Sequence, residues 1–322
     1  MFPSRQHVQS SSMRRLAMAA LVVFLVGAIG SHEALAGGAK QQRFASPEEA
    51  VKALVEALKA GDMKAMLAIL GPEARPLISS GDQVADTQGR QRFVAEYEQA
   101  HKLEKVGDAK AILSIGKDDW PLPIPMVKAG DAWRFDTAAG QEEILNRRIG
   151  RNELSTIQFC LAYVDAQREY ARLGRDGASG PEYAQKFLSD KGRRNGLYWK
   201  AVQAGEVPSP LGPLVANARA EGYDGKRARG KPTPYHGYLF RILTAQGPDA
   251  PGGAYDYVVN GRMIGGFALV AHPAQYGVSG VMTFIVNQDG VVYQKDLGPK
   301  TSQRAAEIRE YNPNGSWQEV TE

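Results

Sequence analysis

The sequence predicts an α+β fold in which amphipathic helices precede antiparallel strands, and it predicts this order twice along the chain. Apolar residues recur at helical spacing over residues 44–70 and again over residues 152–173. Short runs rich in β-branched and aromatic residues follow each of these regions. The pattern changes after Gly140, so we expect two domains, residues 37–140 and residues 141–322.

The first 36 residues have the three-part pattern of a secretory signal peptide. Met13-Arg14-Arg15 supplies the positive charge, residues 16–30 form an uncharged apolar run, and Ala34-Leu35-Ala36 is a small-x-small cleavage sequence. The run is shorter than the roughly 20 apolar residues that span a bilayer. We therefore expect cleavage between Ala36 and Gly37, no retained membrane anchor, and a periplasmic or secreted mature protein.

Charge and cysteine content argue against two classes of function. The formal net charge is +4, and the three arginines and one glutamate of the leader account for +2 of it. The mature part is too weakly basic to argue for nucleic-acid binding. The single cysteine, Cys160, cannot form an intramolecular disulfide. It shares a helix face with Ile157 and Val164, which predicts a buried thiol with a raised pKa and little reactivity.

Residues 44–70 carry the signals of a helical hairpin. Ser46-Pro47-Glu48-Glu49 combines an N-cap, a proline at the first helical position and an acid that closes a capping box. Gly61-Asp62 interrupts the apolar period, and Gly71-Pro72 ends it. Further elements of a twisted antiparallel sheet domain follow: a third helix over residues 88–101 and strands over residues 109–115 and 132–135.

The second predicted domain begins with the long helix over residues 152–173 and a glycine-rich loop. Residues 208–234 are dominated by proline, glycine, alanine and basic residues, which predicts a long ordered loop outside the core. Asn287-Gln288-Asp289-Gly290 is typical of a hairpin turn. We predict strands over residues 238–244, 255–259, 266–271, 281–286 and 291–295, and a short helix over residues 301–310.

These patterns resemble two known folds. Helices followed by a twisted sheet are similar to nuclear-transport-factor-like domains, which implies a pocket between helix and sheet. A long helix followed by an antiparallel meander resembles the globular part of bacterial pseudopilins, and Gly237-Tyr238-Leu239-Phe240-Arg241-Ile242 strengthens that likeness. Pseudopilins carry their polymerising helix at the N-terminus, whereas here a whole domain precedes the comparable helix. Fold alone does not select a function.

Longer strings resemble an exported bacterial family, domain of unknown function 2950. They include Arg147-Arg148-Ile149-Gly150-Arg151-Asn152-Glu153-Leu154 and Val259-Asn260-Gly261-Arg262-Met263-Ile264-Gly265-Gly266-Phe267. The resemblance extends from about residue 44 to the C-terminus. It implies no activity and no catalytic residues.

His236 is the most suggestive catalytic candidate among the histidines that follow the leader. It lies between Tyr235 and Tyr238 where a loop enters a strand, and a histidine in such a place can act as a general acid or base. The alternative is a structural histidine bonded to backbone carbonyls. His101 and His272 are distant in sequence, and no His-Glu-x-x-His pattern supports zinc.

The loop over residues 174–182 compares with calcium loops, which need oxygen ligands at alternating positions and a late bidentate acid. Asp176, Ser179 and Glu182 are the candidate calcium ligands. A plain loop without metal is the alternative. No other cofactor is predicted.

Basic residues concentrate at Arg193-Arg194 and again at Lys226, Arg227, Arg229 and Lys231. Solvated loops explain this cluster, and the partner it would fit is an acidic polymer or a lipid headgroup at the envelope. The glycine-rich residues 261–266 lead into a strand, not into the helix N-terminus that a phosphate loop uses. They predict a bend at which strands cross closely.

Two functions of different classes follow. The first, which the lack of a recognisable catalytic motif favours, is a non-enzymatic envelope module that binds a protein or polymer partner. The second is a hydrolase or isomerase with a pocket in the first domain or a cleft near Tyr235, His236 and Tyr238. A deep pocket lined by convergent polar groups would favour the enzyme, and flat aromatic or basic surfaces would favour the binder.

Overall fold

The computed structural model describes residues 41–173, 180–201, 205–223 and 232–321. The predicted leader and its cleavage site between Ala36 and Gly37 lie outside these ranges. Within them, no helix is both long enough and apolar enough to cross a membrane.

The described chain opens with a layer of helices. They are α1 (Pro47–Ala60), α2 (Met63–Leu70), a 3-10 turn (Pro72–Ala74), α3 (Arg75–Ile78) and α4 (Gln83–Gln99). The Ser46 hydroxyl accepts a hydrogen bond of 3.1 Å from the Glu49 N–H, and the Glu49 carboxylate accepts one of 3.3 Å from Ala45. Gly61 ends α1 at φ 64°, where a side chain would be strained. The predicted helical hairpin is confirmed.

An antiparallel sheet packs against this layer. Its strands are β1 (His101–Val106), β2 (Lys110–Ile115), β3 (Trp120–Pro121), β4 (Met126–Ala129) and β5 (Ala132–Phe135), in the order β1-β2-β4-β5 with β3 paired to β2. Leu113, Ile115 and Phe135 are buried in the first core, where β5 packs against α1 and α2 and β2 packs against α4. Burial of each such side chain contributes about 1.5–3 kcal/mol. The sequence does not predict β1, because nearly all of its residues are exposed and no apolar alternation marks it.

Helix α5 (Thr137–Leu173) serves two hydrophobic cores in the described residues. In its first half, Arg148 donates a hydrogen bond of 2.6 Å to the carbonyl of Pro76. In its second half, Cys160 and Tyr163 are buried in the second core. The helix begins at Thr137, whereas the sequence predicts a start at residue 152. The prediction misses the first half of the helix because this half is polar and has no sustained run of apolar residues at helical spacing. It runs without a break through residues 140 and 141, and the division into two domains at that point stays a prediction.

A second antiparallel sheet covers the second half of α5. Its strands are β6 (Tyr238–Leu243), β11 (Ala268–Pro273), β12 (Met282–Asn287), β13 (Val292–Asp296) and β14 (Gln318–Glu319), in the order β14-β13-β12-β11-β6. Two short pairs accompany it: β7 (Ala245–Gln246) with β8 (Tyr255–Asp256), and β9 (Val258–Val259) with β10 (Arg262–Met263). The last helix is α7 (Thr301–Glu307). The α+β class with antiparallel sheets is thereby confirmed.

Helix α6 (Gly212–Ala220) corrects the expectation of a long loop over residues 208–234. Pro213 occupies its first turn, where the missing N–H costs no hydrogen bond. Leu211 and Tyr223 flank the helix and are buried. Glycine and proline made this segment look like a loop. In the structure, Gly212 and Pro213 are the first two residues of a helix. Residues 224–231, which hold Lys226, Arg227, Arg229 and Lys231, lie outside the described residues.

The glycine-rich residues 261–266 form a turn and a close crossing, as the sequence predicts. Gly261, at φ 76°, lies in the turn between β9 and β10. A Cβ on Gly265 would lie 2.9 Å from the Asp256 carbonyl oxygen, and one on Gly266 would lie 2.9 Å from the Tyr257 ring. The two glycines therefore let this segment pass directly over residues 256 and 257.

Asp82 joins the start of α4 to the C-terminal half of the chain. One carboxylate oxygen accepts from the Ala85 N–H at 3.1 Å and caps α4. The other accepts from the Tyr223 hydroxyl and from the Gly237 N–H, each at 2.9 Å. Gly237 is at φ 76°, and a Cβ there would lie 2.5 Å from the Asn152 amide. A buried carboxylate with these donors fixes the entry of β6 against α4.

Candidate ligand cavity

A cavity of about 830 Å³ lies between α5, residues 187–200, α6 and the segment that enters β6; we call it the α5–α6 cavity. Six aromatic rings line it: Phe159, Phe187, Tyr198, Trp199, Tyr223 and Tyr235. Leu211, Leu214 and Val215 add aliphatic surface. Its volume is within the range of about 300–1,000 Å³ typical of small-molecule sites.

Backbone pairing fixes the segment that carries Tyr198 and Trp199. The Ser189 N–H donates to the Tyr198 carbonyl, and the Tyr198 N–H donates to the Phe187 carbonyl, both at 2.8 Å. A Cβ on Gly196 would lie 2.7 Å from the Leu188 carbonyl carbon, so only glycine fits this crossing. These contacts hold the two rings at the cavity wall without regular secondary structure.

Helix α6 supplies the opposite wall. The Leu211 N–H donates to the Leu197 carbonyl at 3.0 Å, which ties the start of α6 to the 187–200 segment. Leu214, Val215 and Ala218 follow at helical spacing and all line the cavity. Ala216, on the same helix, is exposed and lies outside the lining.

Cations outnumber carboxylates in the described lining. The cationic side chains are Lys191, Arg193, Arg194, Lys200 and Arg219, and the carboxylates are Asp190 and Glu206. Asp190 accepts hydrogen bonds from Asn195 at 2.8 Å and Lys186 at 2.7 Å, which lower the pKa of its carboxyl. The Arg194 guanidinium lies 5.8 Å from the centroid of the Trp199 ring, and the Arg219 guanidinium lies 5.2 Å from that of Tyr198.

The structure brings the His236 and Tyr235 rings together and places the Tyr238 side chain elsewhere, although the Tyr235 and Tyr238 backbones pair. The centroids of the His236 and Tyr235 rings are 4.3 Å apart, and His236 Nε2 lies 3.0 Å from a Glu221 carboxylate oxygen. That oxygen is buried and accepts no hydrogen bond within the described residues. Tyr238 is fully buried in the second core, where its hydroxyl donates to the Met282 carbonyl at 2.9 Å. His236 borders the cavity wall through Tyr235 but is not part of the described lining.

The tyrosine hydroxyls of the wall are held in their protonated form. Burial, with the Glu221 carboxylate nearby, raises the pKa of Tyr235 to about 12. Burial and the adjacent Asp82 carboxylate raise the pKa of Tyr223 as well. Both phenols are therefore neutral hydrogen-bonding groups at physiological pH.

Cys160, His101 and His272 lie outside the cavity lining and contact other parts of the fold. Burial raises the pKa of the Cys160 thiol to about 12, which confirms the expectation of a buried thiol with a raised pKa. His101 stacks on Tyr97 with centroids 3.9 Å apart. His272 Nδ1 lies 3.1 Å from the Pro273 carbonyl oxygen, and burial lowers the pKa of this imidazole.

Of the three predicted calcium ligands, only Glu182 lies within the described residues. Glu182 is buried, and its carboxylate accepts a hydrogen bond of 2.8 Å from Arg262 Nε. Asp176 and Ser179 lie outside the described residues. Across the ranges that the structure describes, no three His, Cys, Asp or Glu side chains are grouped to hold a metal ion. Calcium binding stays a prediction.

Most of the cavity lining was not predicted from the sequence. The patterns that predict function single out Tyr235 and Arg193-Arg194 but not Phe187, Tyr198 or Trp199. The available signal was three aromatic residues within the otherwise polar and glycine-containing residues 187–200. Solvated loops rarely carry so many large rings, because buried aromatic residues need a core to pack against.

The fold and the site define an α+β protein with antiparallel sheets and an aromatic cavity bordered by cations. Residues 41–320 match the family described as a protein of unknown function, DUF2950, and the chain belongs to this family. The family resemblance is thereby confirmed. No curated protein and no solved structure matches the chain. The likeness of its second half to pseudopilins, and of its first half to nuclear-transport-factor-like domains, stays a prediction.

Proposed function

We propose that this protein is an exported envelope module that binds a small apolar or aromatic ligand in the α5–α6 cavity without chemical conversion. The observation that carries the proposal is the cavity itself, about 830 Å³ with six aromatic rings in its walls. A cavity of this size and lining buries most of the surface of a small ligand. Desolvation of the ligand is then the main source of affinity.

The chemistry of the described lining supports binding over catalysis. Ser189 carries a hydroxyl in the lining, but it donates to the Gly196 carbonyl at 3.2 Å and accepts from the Gly196 N–H at 3.0 Å. No histidine stands among the described lining residues to activate it. Tyr223 and Tyr235 stay protonated, so neither acts as a base near neutral pH.

The export part of the proposal rests on the leader. Its basic start, apolar run and Ala34-Leu35-Ala36 sequence are those of a chain that crosses the inner membrane and is cleaved. A periplasmic or secreted location gives the cavity access to ligands of the envelope. An envelope protein or an acidic polymer is a further partner class compatible with this location.

The test uses N-phenyl-1-naphthylamine, a neutral aromatic probe that fluoresces in apolar sites. We expect saturable one-to-one binding to the purified mature protein. Ala218→Trp fills the cavity from α6 and should weaken the probe affinity by at least about tenfold, because the added ring occupies the volume the probe needs. Ala216→Trp makes the same change on the exposed face of α6 and should leave the affinity within about twofold.

Circular dichroism and thermal melts of both variants check that α6 is intact. Absence of saturable binding to the wild type would refute the proposal. Equal affinities for the two tryptophan variants would refute it as well, because the probe would then bind elsewhere.

A second candidate function rests on the 3.0 Å contact between His236 Nε2 and the Glu221 carboxylate. A histidine oriented by a carboxylate is a general-base arrangement of hydrolases and isomerases. The test is p-nitrophenyl acetate hydrolysis by the wild type, His236→Gln and Glu221→Gln. If the pair is catalytic, each variant should lose about 100-fold or more in rate. Equal rates for the three proteins would remove this candidate.

A further inference from the structure

We propose that the ligand of the α5–α6 cavity is an amphipathic anion, with an apolar body inside the cavity and one acidic group held by Arg194 and Arg219. The inference rests on the proposed binding function and specifies its ligand class. The acidic group is a carboxylate, sulfonate or phosphate, since these accept the planar pair of N–H donors that a guanidinium presents.

The first support is the position of the two guanidinium groups. Arg194 lies over Trp199 and Arg219 lies over Tyr198, and all four residues line the cavity. Stacking on a ring uses the face of a guanidinium and leaves the N–H groups at its edge for an anion. The two cations are therefore held beside the aromatic walls of the cavity.

The second support is the lack of an internal counter-ion. In the part of the chain that the structure describes, no carboxylate forms an ion pair with Arg194 or Arg219. Asp190, the nearest acid in sequence to Arg194, is engaged with Asn195 and Lys186. Two cations beside an apolar cavity, without an acidic partner among the described residues, fit an anionic group on the ligand.

The third support is the distribution of charge in the lining as a whole. Lys191, Arg193 and Lys200 add to the two stacked arginines, whereas two carboxylates oppose them. A neutral apolar ligand would gain nothing from this arrangement. An anionic amphiphile gains both desolvation of its apolar body and electrostatic attraction of its acidic group.

A matched pair of probes separates the two contributions. 1-Anilinonaphthalene-8-sulfonate has the ring system of N-phenyl-1-naphthylamine plus one sulfonate. We expect the sulfonate probe to bind the wild type more tightly than the neutral probe at low ionic strength. Arg194→Gln and Arg219→Gln should each weaken the sulfonate probe about 5–10-fold and change the neutral probe less than about twofold. Arg75→Gln removes the same charge from an exposed position on α3, outside the lining, and should change the affinity for neither probe.

Two natural sources of the anion are distinguished by competition. Dodecanoate should displace the sulfonate probe from the mature protein, and Arg194→Gln should weaken this displacement. Displacement by phosphatidylglycerol vesicles but not by dodecanoate would overturn the small-amphiphile assignment in favour of a lipid surface.

The remaining outcomes separate this inference from the proposed function. Equal binding of both probes, unaffected by the arginine substitutions, would overturn the anion assignment and leave the apolar cavity as the binding site. Failure of the neutral probe to bind the wild type would overturn the proposed function itself.

Discussion

The Tyr223 hydroxyl donates a hydrogen bond of 2.9 Å to the Asp82 carboxylate, although 141 residues separate them in sequence. Tyr223 lines the cavity, and Asp82 caps α4 at the edge of the first core. The same carboxylate oxygen holds the Gly237 N–H at 2.9 Å, next to the segment that carries Tyr235. Two pieces of cavity wall are therefore fixed to the N-terminal half through one buried carboxylate.

Removal of the Tyr223 hydroxyl should destabilise the fold. Tyr223→Phe deletes a donor to a buried carboxylate, and we expect a loss of about 1.5–3 kcal/mol in the free energy of unfolding. Urea denaturation followed by tryptophan fluorescence measures it. The control is Tyr276→Phe, whose hydroxyl donates to Asp296 at 3.1 Å in an exposed place. That change should cost about 0.5 kcal/mol or less. Equal losses of unfolding free energy in Tyr223→Phe and Tyr276→Phe would mean that the buried hydrogen bond to Asp82 stabilises the fold no more than an exposed one.

Two glycines of α5 should respond in opposite directions to alanine. A Cβ on Gly140 would lie 2.4 Å from the Pro123 carbonyl carbon, so Gly140→Ala should destabilise by about 1–3 kcal/mol. Gly150 has open space around its Cβ position, and Gly150→Ala should stabilise by about 0.5–1 kcal/mol through helix propensity. Thermal melts compare the two variants. A stabilising Gly140→Ala would contradict the close packing of α5 on the Pro123 segment.

The Cys160 thiol should be unreactive until the protein unfolds. With its pKa raised to about 12, almost none of it is thiolate at pH 8. We expect no labelling of the native protein by 5,5′-dithiobis-2-nitrobenzoate and one thiol per chain in 6 M guanidinium. Ser302→Cys in a Cys160→Ala background places a thiol on the exposed side of α7 and should label within minutes. Rapid labelling of native Cys160 would contradict its burial.

The same thiol should contribute to alkaline destabilisation. In the unfolded chain it ionises near pH 9, whereas in the folded protein it stays protonated to about pH 12. Its stabilising contribution is therefore complete below pH 9 and is lost as the pH rises above that value. Between pH 9 and 10, the free energy of unfolding should decrease less steeply with pH in Cys160→Ala than in the wild type, by up to about 1.4 kcal/mol per pH unit. If the free energies of unfolding of the wild type and Cys160→Ala decrease equally with pH, ionisation of the thiol does not cause the alkaline destabilisation.

Export should leave a mature chain that begins at Gly37. A charged side chain at Ala36 prevents recognition of the small-x-small sequence, so Ala36→Arg should accumulate the uncleaved chain. Leu35→Gln changes the unrestricted middle position and should be processed normally. Intact-mass spectrometry of envelope fractions distinguishes the two forms. Normal processing of Ala36→Arg would place the cleavage site elsewhere.

Local signals predicted the elements that carry their own caps and periodicity. Ser46 and Pro47 fixed the start of α1, and β6, β11, β12 and β13 appear close to their predicted positions, whereas β14 was not predicted. The sequence does not predict the first half of α5, since residues 137–151 interact through polar contacts such as those of Arg148. The start of α4 at Gln83, before the predicted residue 88, depends on the Asp82 cap, which is completed by residues far along the chain.

The cavity was less predictable than the fold. Tyr235 stands out in the sequence through its neighbour His236, whereas Tyr198 and Arg219 meet only through the packing of α6 on an irregular segment. Neither side chain has a periodic pattern that marks its partner. Residues brought together by loop packing carry no local signal, because their pairing is decided by long-range backbone contacts such as Leu211 with Leu197.

The continuous α5 also sets an order of events for a chain that emerges N-terminus first. The buried hydrophobic residues of the first core all lie at or before residue 135, ahead of α5. The face of α5 that carries Phe159 and Tyr163 stays uncovered until β11, β12 and β13 have followed. During that interval the helix exposes a stripe of apolar side chains to other nascent chains. Holding chaperones would act at this stage, and a stalled chain would aggregate through α5.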